Sequence, residues 1–289
     1  MLIGLKLDIG FSHEDLYRRL YGNREVLPFL RELGFDAVET PVGPETDSQR
    51  LRDHIARCTD AGLKTSLHPY SETTICNPLH FSPDADNPCR RMHERFFAIA
   101  AEAARMQQCP TVVNLHGAAG ASDDDREHLL RQSIAFFTWA GQWCRDRTPE
   151  VNVTVELQMS PSPGEPRQRI GDTYAELLDV ATQSNVPVCW DFGHAFWNTR
   201  LYGRPITPPE PLLGRIIHVH CHDASTEDHQ PLVHGNVPWR DFIKLLRSHG
   251  FDSRVILEVP PDQFLRAGGL QSLLDSARAL RTLLMSFDR

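Results

Sequence analysis

The stretch MLIGLKLDIGFSH (1–13) opens with a β-like apolar run over 2–8 and then turns at Asp8-Ile9-Gly10. The turn after that first strand separates two architectures. A doubly wound open sheet that binds nucleotides needs a glycine-rich turn leading into a helix, G-x-G-x-x-G, to bring its backbone against phosphate. DIGFSH (8–13) carries one glycine and no such spacing. Working outward, apolar runs near 35–40, 63–68, 111–116, 151–157, 186–191, 215–221 and 254–259 read as seven further strands. Helical patterns lie between them near 24–33, 47–61, 88–108, 123–146, 172–184, 209–214, 238–249 and 269–286. ELGFD, DAGLKT and SHGFDS each place glycine just past a helix, where a left-handed cap costs it little. GDTYAELL starts a helix with Asp172 or Thr173 as N-cap. Eight strand–helix units without a break in composition predict an α/β fold, one (β/α)8 TIM barrel over residues 1–289.

The chain is 40 % hydrophobic and 24 % charged with a formal net charge of −8, which suits a soluble globular protein and gives no overall basic footprint for nucleic acid or anionic lipid. Seven cysteines without C-x-x-C spacing read as free thiols of a reducing compartment. The first residues form a strand instead of a signal or membrane segment, so the expected location is cytoplasmic, with no membrane partner. Nothing in the pattern fixes an oligomeric state.

A TIM barrel builds its active site at the C-terminal ends of its strands. In VNVTVELQ (151–158), Val151, Val153, Val155 and Leu157 share one face, while Asn152, Thr154, Glu156 and Gln158 share the other. A face so polar inside a buried sheet has to line the barrel mouth. The sixth strand ends on Asp191, followed by a loop with His194. The seventh, IIHVHCHDA (216–224), carries His218, His220 and His222 on one side, and RVILEVP (254–260) ends on Glu258. His68 and His116 end the third and fourth strands. Glu156, Asp191 and Glu258 would converge without lysine or arginine and repel one another, a problem that a divalent cation removes. With His220 at the last inward position, Glu156, Asp191, His220 and Glu258 are the expected ligands, and Mn²⁺, Zn²⁺, Co²⁺ or Fe²⁺ suits this mixed shell. His218 lies one layer deeper and reads as a hydrogen-bonded core residue. His222 is read as a partner of the ligands or a substrate contact. Trp197 and Trp239 near the mouth are candidate substrate contacts, whereas Trp190 falls on the outward phase.

At VTVELQ, VCWDFGHAF, HVHCHDA…EDHQPLVHGNVPW and VILEVP the chain resembles the xylose-isomerase-like superfamily of metal-dependent barrels, in order and spacing along essentially its whole length. That group includes sugar-phosphate isomerases and epimerases as well as the DNA-repair endonuclease IV branch, also called AP endonuclease family 2. In the sugar branch, the resemblance implies one Mn²⁺-type ion on Glu156, Asp191, His220 and Glu258. The two glutamates then also act as catalytic proton carriers, and His194 touches substrate. In the endonuclease branch it implies three zinc ions, with His68, His116, His194, Glu227 and His229 as additional ligands. Glu227 stands where that branch carries aspartate. PLVHG places Val233 and His234 where PLGEG is common, which leaves His234 as a candidate substrate contact.

The sequence supports two functions. One is a metal-dependent isomerase or epimerase of a small sugar, sugar phosphate or polyol-derived ketone, working through enediolate-type proton transfer. The alternative is a multinuclear zinc phosphodiesterase or another metal-dependent lyase or hydrolase on the same scaffold. The loop PYSETTICNPLHFSPDADNP (69–88) after the third strand has no lysine or arginine to grip DNA, so a small carbohydrate-like substrate ranks above nucleic acid.

Overall fold

The computed structural model describes residues 1–8, 14–69, 72–232 and 235–287. Residues 9–13 of the opening stretch, and His234, lie outside that set. The strands are β1 (Leu2–Lys6), β2 (Ala37–Val42), β3 (Lys64–Pro69), β4 (Thr111–Leu115), β5 (Val151–Glu156), β6 (Val188–Asp191), β7 (Ile216–Cys221) and β8 (Arg254–Leu257). Each pairs in parallel with the next, and β8 returns to β1 with Leu2 opposite Arg254 and Leu5 opposite Leu257, closing the barrel. All eight strands stand where the apolar runs placed them, because parallel strands covered on both faces carry near-continuous apolar sequence.

Helices wrap the barrel with their apolar faces inward. Pro88–Gln107 and Arg126–Arg147 bury Phe96, Phe97, Phe136 and Phe137, each side chain stabilising the packed state by about 1.5–3 kcal/mol. Asp47, Asn87, Asp125 and Thr173 accept backbone N–H groups at helix starts, which settles the choice between Asp172 and Thr173. At the end opposite the candidate site, buried Arg254 donates to the carbonyls of Thr65 (2.9 Å) and Pro110 (2.7 Å). All seven cysteines are unpaired. Among the described residues no helix is long and apolar enough to cross a membrane.

Among the described residues, three α-helices, Glu14–Tyr21, Phe192–Tyr202 and Pro261–Arg266, and one 3-10 turn, Pro78–His80, lie outside the expected helical segments. The second corrects the expected loop after β6. Phe192–Tyr202 starts directly on Asp191, whose Oδ1 accepts the backbone N–H of His194 at 2.7 Å. An antiparallel pair, Ala119–Ala121 with Arg167–Arg169, is a further element outside the barrel.

Candidate metal centre

Period-two alternation turns Glu156, Asp191 and His220 inward at the ends of β5, β6 and β7, with Asp191 opposite His220 in register. Glu258 follows β8 directly. Their ligand atoms all lie within 4.8 Å of one another, and all four residues are buried. His220 Nδ1 is 2.7 Å from Glu258 Oε2, 3.5 Å from Glu156 Oε2 and 3.7 Å from Asp191 Oδ2. Glu156 Oε1 is buried without a hydrogen-bond partner among the described residues, and Glu258 Oε2 and His220 Nδ1, both buried, face each other at 2.7 Å. Buried polar atoms are ordinarily satisfied. Three oxygen-bearing groups and one imidazole that converge and leave such atoms over fit a borderline divalent cation.

Electrostatics point the same way. Burial pushes Glu156 up, but charge on His116 and His220 outweighs it and brings the carboxyl to about 2. Burial also opposes ionisation of Asp191 and Glu258. His194 and His222 hold the first well below the usual carboxylate range, and His220 and Lys6 do so for the second. Burial disfavours a charged His220, yet Cys189 and the carboxylates of Glu258, Glu39 and Glu156 raise it well above an ordinary histidine. Protons on imidazoles thus balance the carboxylates, a task that a dication performs with fewer buried charges.

The neighbours of these four residues include three that sequence reasoning missed: Lys6, Glu39 and Asn114. Lys6 donates to Glu258 Oε1 at 2.8 Å, which corrects the expectation that the carboxylates converge without a lysine. Glu39 on β2 is fully buried and lies 2.7 Å from His218 Nε2 and 2.5 Å from His220 Nε2. Asn114 on β4 donates to Glu156 Oε2 and is held by the Thr154 hydroxyl at 2.8 Å. His68 Nδ1 bonds the Asn114 carbonyl at 3.0 Å and its Nε2 lies 3.7 Å from Glu156, while His116 Nε2 is 3.4 Å from Glu156 Oε1. Burial chiefly lowers His68, to about 4.

A second donor group adjoins the first. His194, His222, Asp228 and His229 also place one ligand atom each within 4.8 Å of one another. Asp191 touches both groups, with Oδ1 3.0 Å from His222 Nε2 and Oδ2 3.5 Å from His194 Nδ1. Asp228 lies 3.3 Å from His222 Nδ1 and 3.0 Å from His229 Nδ1, and the two imidazoles stack at 4.1 Å with 9° between planes. His229 has φ +52°, a left-handed conformation uncommon outside glycine. Burial favours neutral His229, but Asp228 raises it to about 10. The loop bearing these residues is tied at its base by Asp223, whose carboxylate accepts backbone N–H groups of Ala224, Gly235 and Val237 at 2.8–3.0 Å.

The structure departs from several expected roles. Glu227 points away from the centre to Gln263 (3.2 Å) and Arg266 (3.4 Å), and its neighbour Asp228 faces the histidines instead. Trp239 is 1 % exposed and its indole N–H donates to the Leu232 carbonyl, so it is a core residue with no face for a sugar. Trp197 is half-buried, with the Arg200 guanidinium 5.6 Å from its ring centre.

A closed parallel barrel with carboxylates and imidazoles meeting at its strand ends defines a class, and the family comparison names it. Residues 27–283 match the model of the xylose isomerase-like TIM barrel, and the chain belongs to that family. No curated protein matches the sequence significantly. Among solved structures, the chain is similar to 3-keto-D-glucoside 4-epimerase from E. coli (15 % identity, 98 % of this chain and 99 % of that one, TM-score 0.66). It is also similar to an AP endonuclease, family 2, from Brucella melitensis (15 % identity, 90 % and 93 %, TM-score 0.60). A third is the IolI protein with a zinc atom bound (12 % identity, 96 % of each chain, TM-score 0.59). At these identities the likeness is one of fold.

Proposed function

We propose that this chain, acting as one barrel unit, is a divalent-metal-dependent isomerase or epimerase. Its substrate would be a small sugar, sugar phosphate or related polyol-derived ketone. The observation that carries the reading is a matched pair of glutamates at β5 and β8. Each has one oxygen anchored, Glu156 Oε2 by Asn114 and Glu258 Oε1 by Lys6. The other oxygen of each is buried too: Glu156 Oε1 has no hydrogen bond among the described residues, and Glu258 Oε2 lies 2.7 Å from His220 Nδ1. Two positioned carboxylates can take a proton from one face of a carbon and return it on the other.

Glu156, Asp191, His220 and Glu258 would hold Mn²⁺, Fe²⁺, Co²⁺ or Zn²⁺. Bound there, the ion supplies Lewis-acid stabilisation of negative charge developing on substrate oxygens. Glu156 and Glu258 would take the α-proton and return it, each through an oxygen that the ion does not engage. Lys6 and Asn114 fix the carboxylate planes, so neither group has to be ordered during the reaction. His194 and His116, which lie 3.4 Å from Glu156 Oε1, are placed to meet substrate hydroxyls.

The metal-loaded protein, incubated with ketopentoses, ketohexoses and 3-keto-glycosides in D₂O, should exchange deuterium at the carbon beside the carbonyl. Glu156→Gln and Glu258→Gln should each slow exchange by about 10²–10⁴-fold. Absence of exchange across the panel, with cleavage of abasic DNA, would overturn the proposal. That outcome would favour a multinuclear phosphodiesterase, the second reading, which is supported by the His194–His222–Asp228–His229 group. Elemental analysis separates the two: one ion per chain for the first, two or three zinc for the second.

A further inference from the structure

Glu39 belongs to none of the donor groups that face the candidate cation, yet it is 0 % exposed deep in the barrel. It lies on β2, opposite Lys6 on one side and Ser66 on the other. Its Oε1 meets His220 Nε2 at 2.5 Å, and its Oε2 meets His218 Nε2 at 2.7 Å and the Ser66 hydroxyl at 2.9 Å. A buried carboxylate without compensating donors costs several kcal/mol, so this one is retained against a penalty that the two imidazole N–H groups offset.

We propose that Glu39 is the positioning residue of the metal centre: it fixes the proton of His220 on Nε2 and thereby turns the Nδ1 lone pair toward Glu156, Asp191 and Glu258. The inference rests on the reading of those four residues as the metal site. His220 Nε2 lies 2.5 Å from Glu39 Oε1, a distance at which a carboxylate oxygen accepts from a ring N–H, so the opposite ring nitrogen is the one left to a metal. That opposite nitrogen is Nδ1, which faces the three carboxylates at 2.7–3.7 Å. Left to itself, His220 would favour the reverse tautomer, since a hydrogen on Nδ1 would point into that carboxylate cage while the lone pair pointed away. Glu39 reverses the preference. His218 acquires a purpose in the same arrangement. Together with Ser66 it occupies the second carboxylate oxygen, which keeps the Glu39 plane from rotating off His220. Two of the three alternating histidines therefore act through a single buried glutamate on the far strand.

Co²⁺ is the probe, bound to chelator-stripped full-length protein. Dissociation constants come from competition with a chelator and coordination from the visible d–d bands. Glu39→Gln cannot accept from both rings, because its amide nitrogen must face one N–H. It should weaken Co²⁺ binding about 10–100-fold and shift the bands. Glu39→Asp should recover part of the affinity and the wild-type spectrum. Ser66→Ala, which removes a contact on the His218 side only, should change affinity by no more than about threefold. A Glu39→Gln protein that binds Co²⁺ within about twofold of wild type, with the same bands, overturns the role of Glu39 alone. Wild-type protein that binds no Co²⁺ overturns the metal reading and this inference with it. Should the Glu39 variants fail to fold, ¹⁵N-histidine NMR of the wild-type protein with Zn²⁺ decides the matter. Metal on His220 Nδ1 with hydrogen on Nε2 supports the assignment, and metal on Nε2 refutes it.

Discussion

Gly193 occupies the first turn of the helix Phe192–Tyr202, where helix propensity alone favours alanine by up to about 1 kcal/mol. Packing reverses that sign. A Cβ on residue 193 would lie 1.9 Å from His222 Cε1, 2.3 Å from Nδ1 and 2.6 Å from Nε2. Ordinary contact between carbon atoms is about 3.5–4.0 Å, so the ring would have to retreat by about 1.5 Å or more. It has no room to do so, being held by Asp191 at 3.0 Å and Asp228 at 3.3 Å and stacked on His229 at 4.1 Å. Overpacking costs about 1–3 kcal/mol, and losing the charge-assisted Asp191 contact adds about 1.5–3 kcal/mol. Gly193→Ala should therefore be less stable by about 1.5–5 kcal/mol once propensity is deducted, a fall in melting temperature of roughly 2–8 °C. Thermal denaturation of metal-free protein at fixed scan rate measures it. The second arm of a double-mutant cycle tests the cause. In a His222→Ala background the obstacle is gone, and Gly193→Ala should be neutral or stabilising. A Gly193→Ala protein that melts at or above the wild-type temperature would refute the packing described for His222.

The charges set three further outcomes. Cys189 and the surrounding carboxylates raise His220 well above an ordinary histidine in the metal-free protein, so cation binding near neutral pH should release protons. Calorimetry in buffers of different ionisation enthalpy counts them, and a buffer-independent heat would contradict the assignment of His220 as ligand. Asp228→Asn leaves His222 and His229 without their shared carboxylate and should destabilise metal-free protein by about 3–5 kcal/mol. Glu227→Gln, on the exposed side of the same loop, should stay within about 0.5 kcal/mol in the same denaturation series. His229, raised from 6.5 to about 10, contributes stability that is complete below pH 6.5 and lost as pH rises through 10. His229→Gln should flatten that alkaline limb of the stability curve, and an unchanged limb would count against the Asp228 pairing.

The barrel was legible because each strand writes its burial into a run of apolar residues, and because glycine marks the helix ends. The convergence of Glu156, Asp191, His220 and Glu258 was legible for a related reason: alternation in β5 and β7 counts inward positions without reference to the rest of the chain. The helix Phe192–Tyr202 was hidden because Phe192, Ala195, Phe196 and Trp197 give it no single apolar stripe, and because Gly193 reads as a loop residue until His222 is seen beside it. Glu39 left a faint signal, a carboxylate in opposite phase to Val38 within AVETPV, but its partners lie about 180 residues further along the chain. Asp228 could not be told from Glu227 by spacing. Asp228 faces His222 and His229 beside a left-handed backbone at His229, a conformation that no residue type at that position announces.

The Asp223 cradle has a consequence for how this scaffold can change. One side chain gathers amide groups from both ends of the segment between Ala224 and Val237, and the Asp223 main chain also pairs with Gln230, so the segment's footing rests on Asp223 and Gln230. Substitutions within residues 226–229 would exchange the reactive groups delivered to the rim, at a cost in stability where they remove Asp228, while the attachment points stay put. Exchanging those four residues between related barrels is a direct way to transplant one donor group without rebuilding the other.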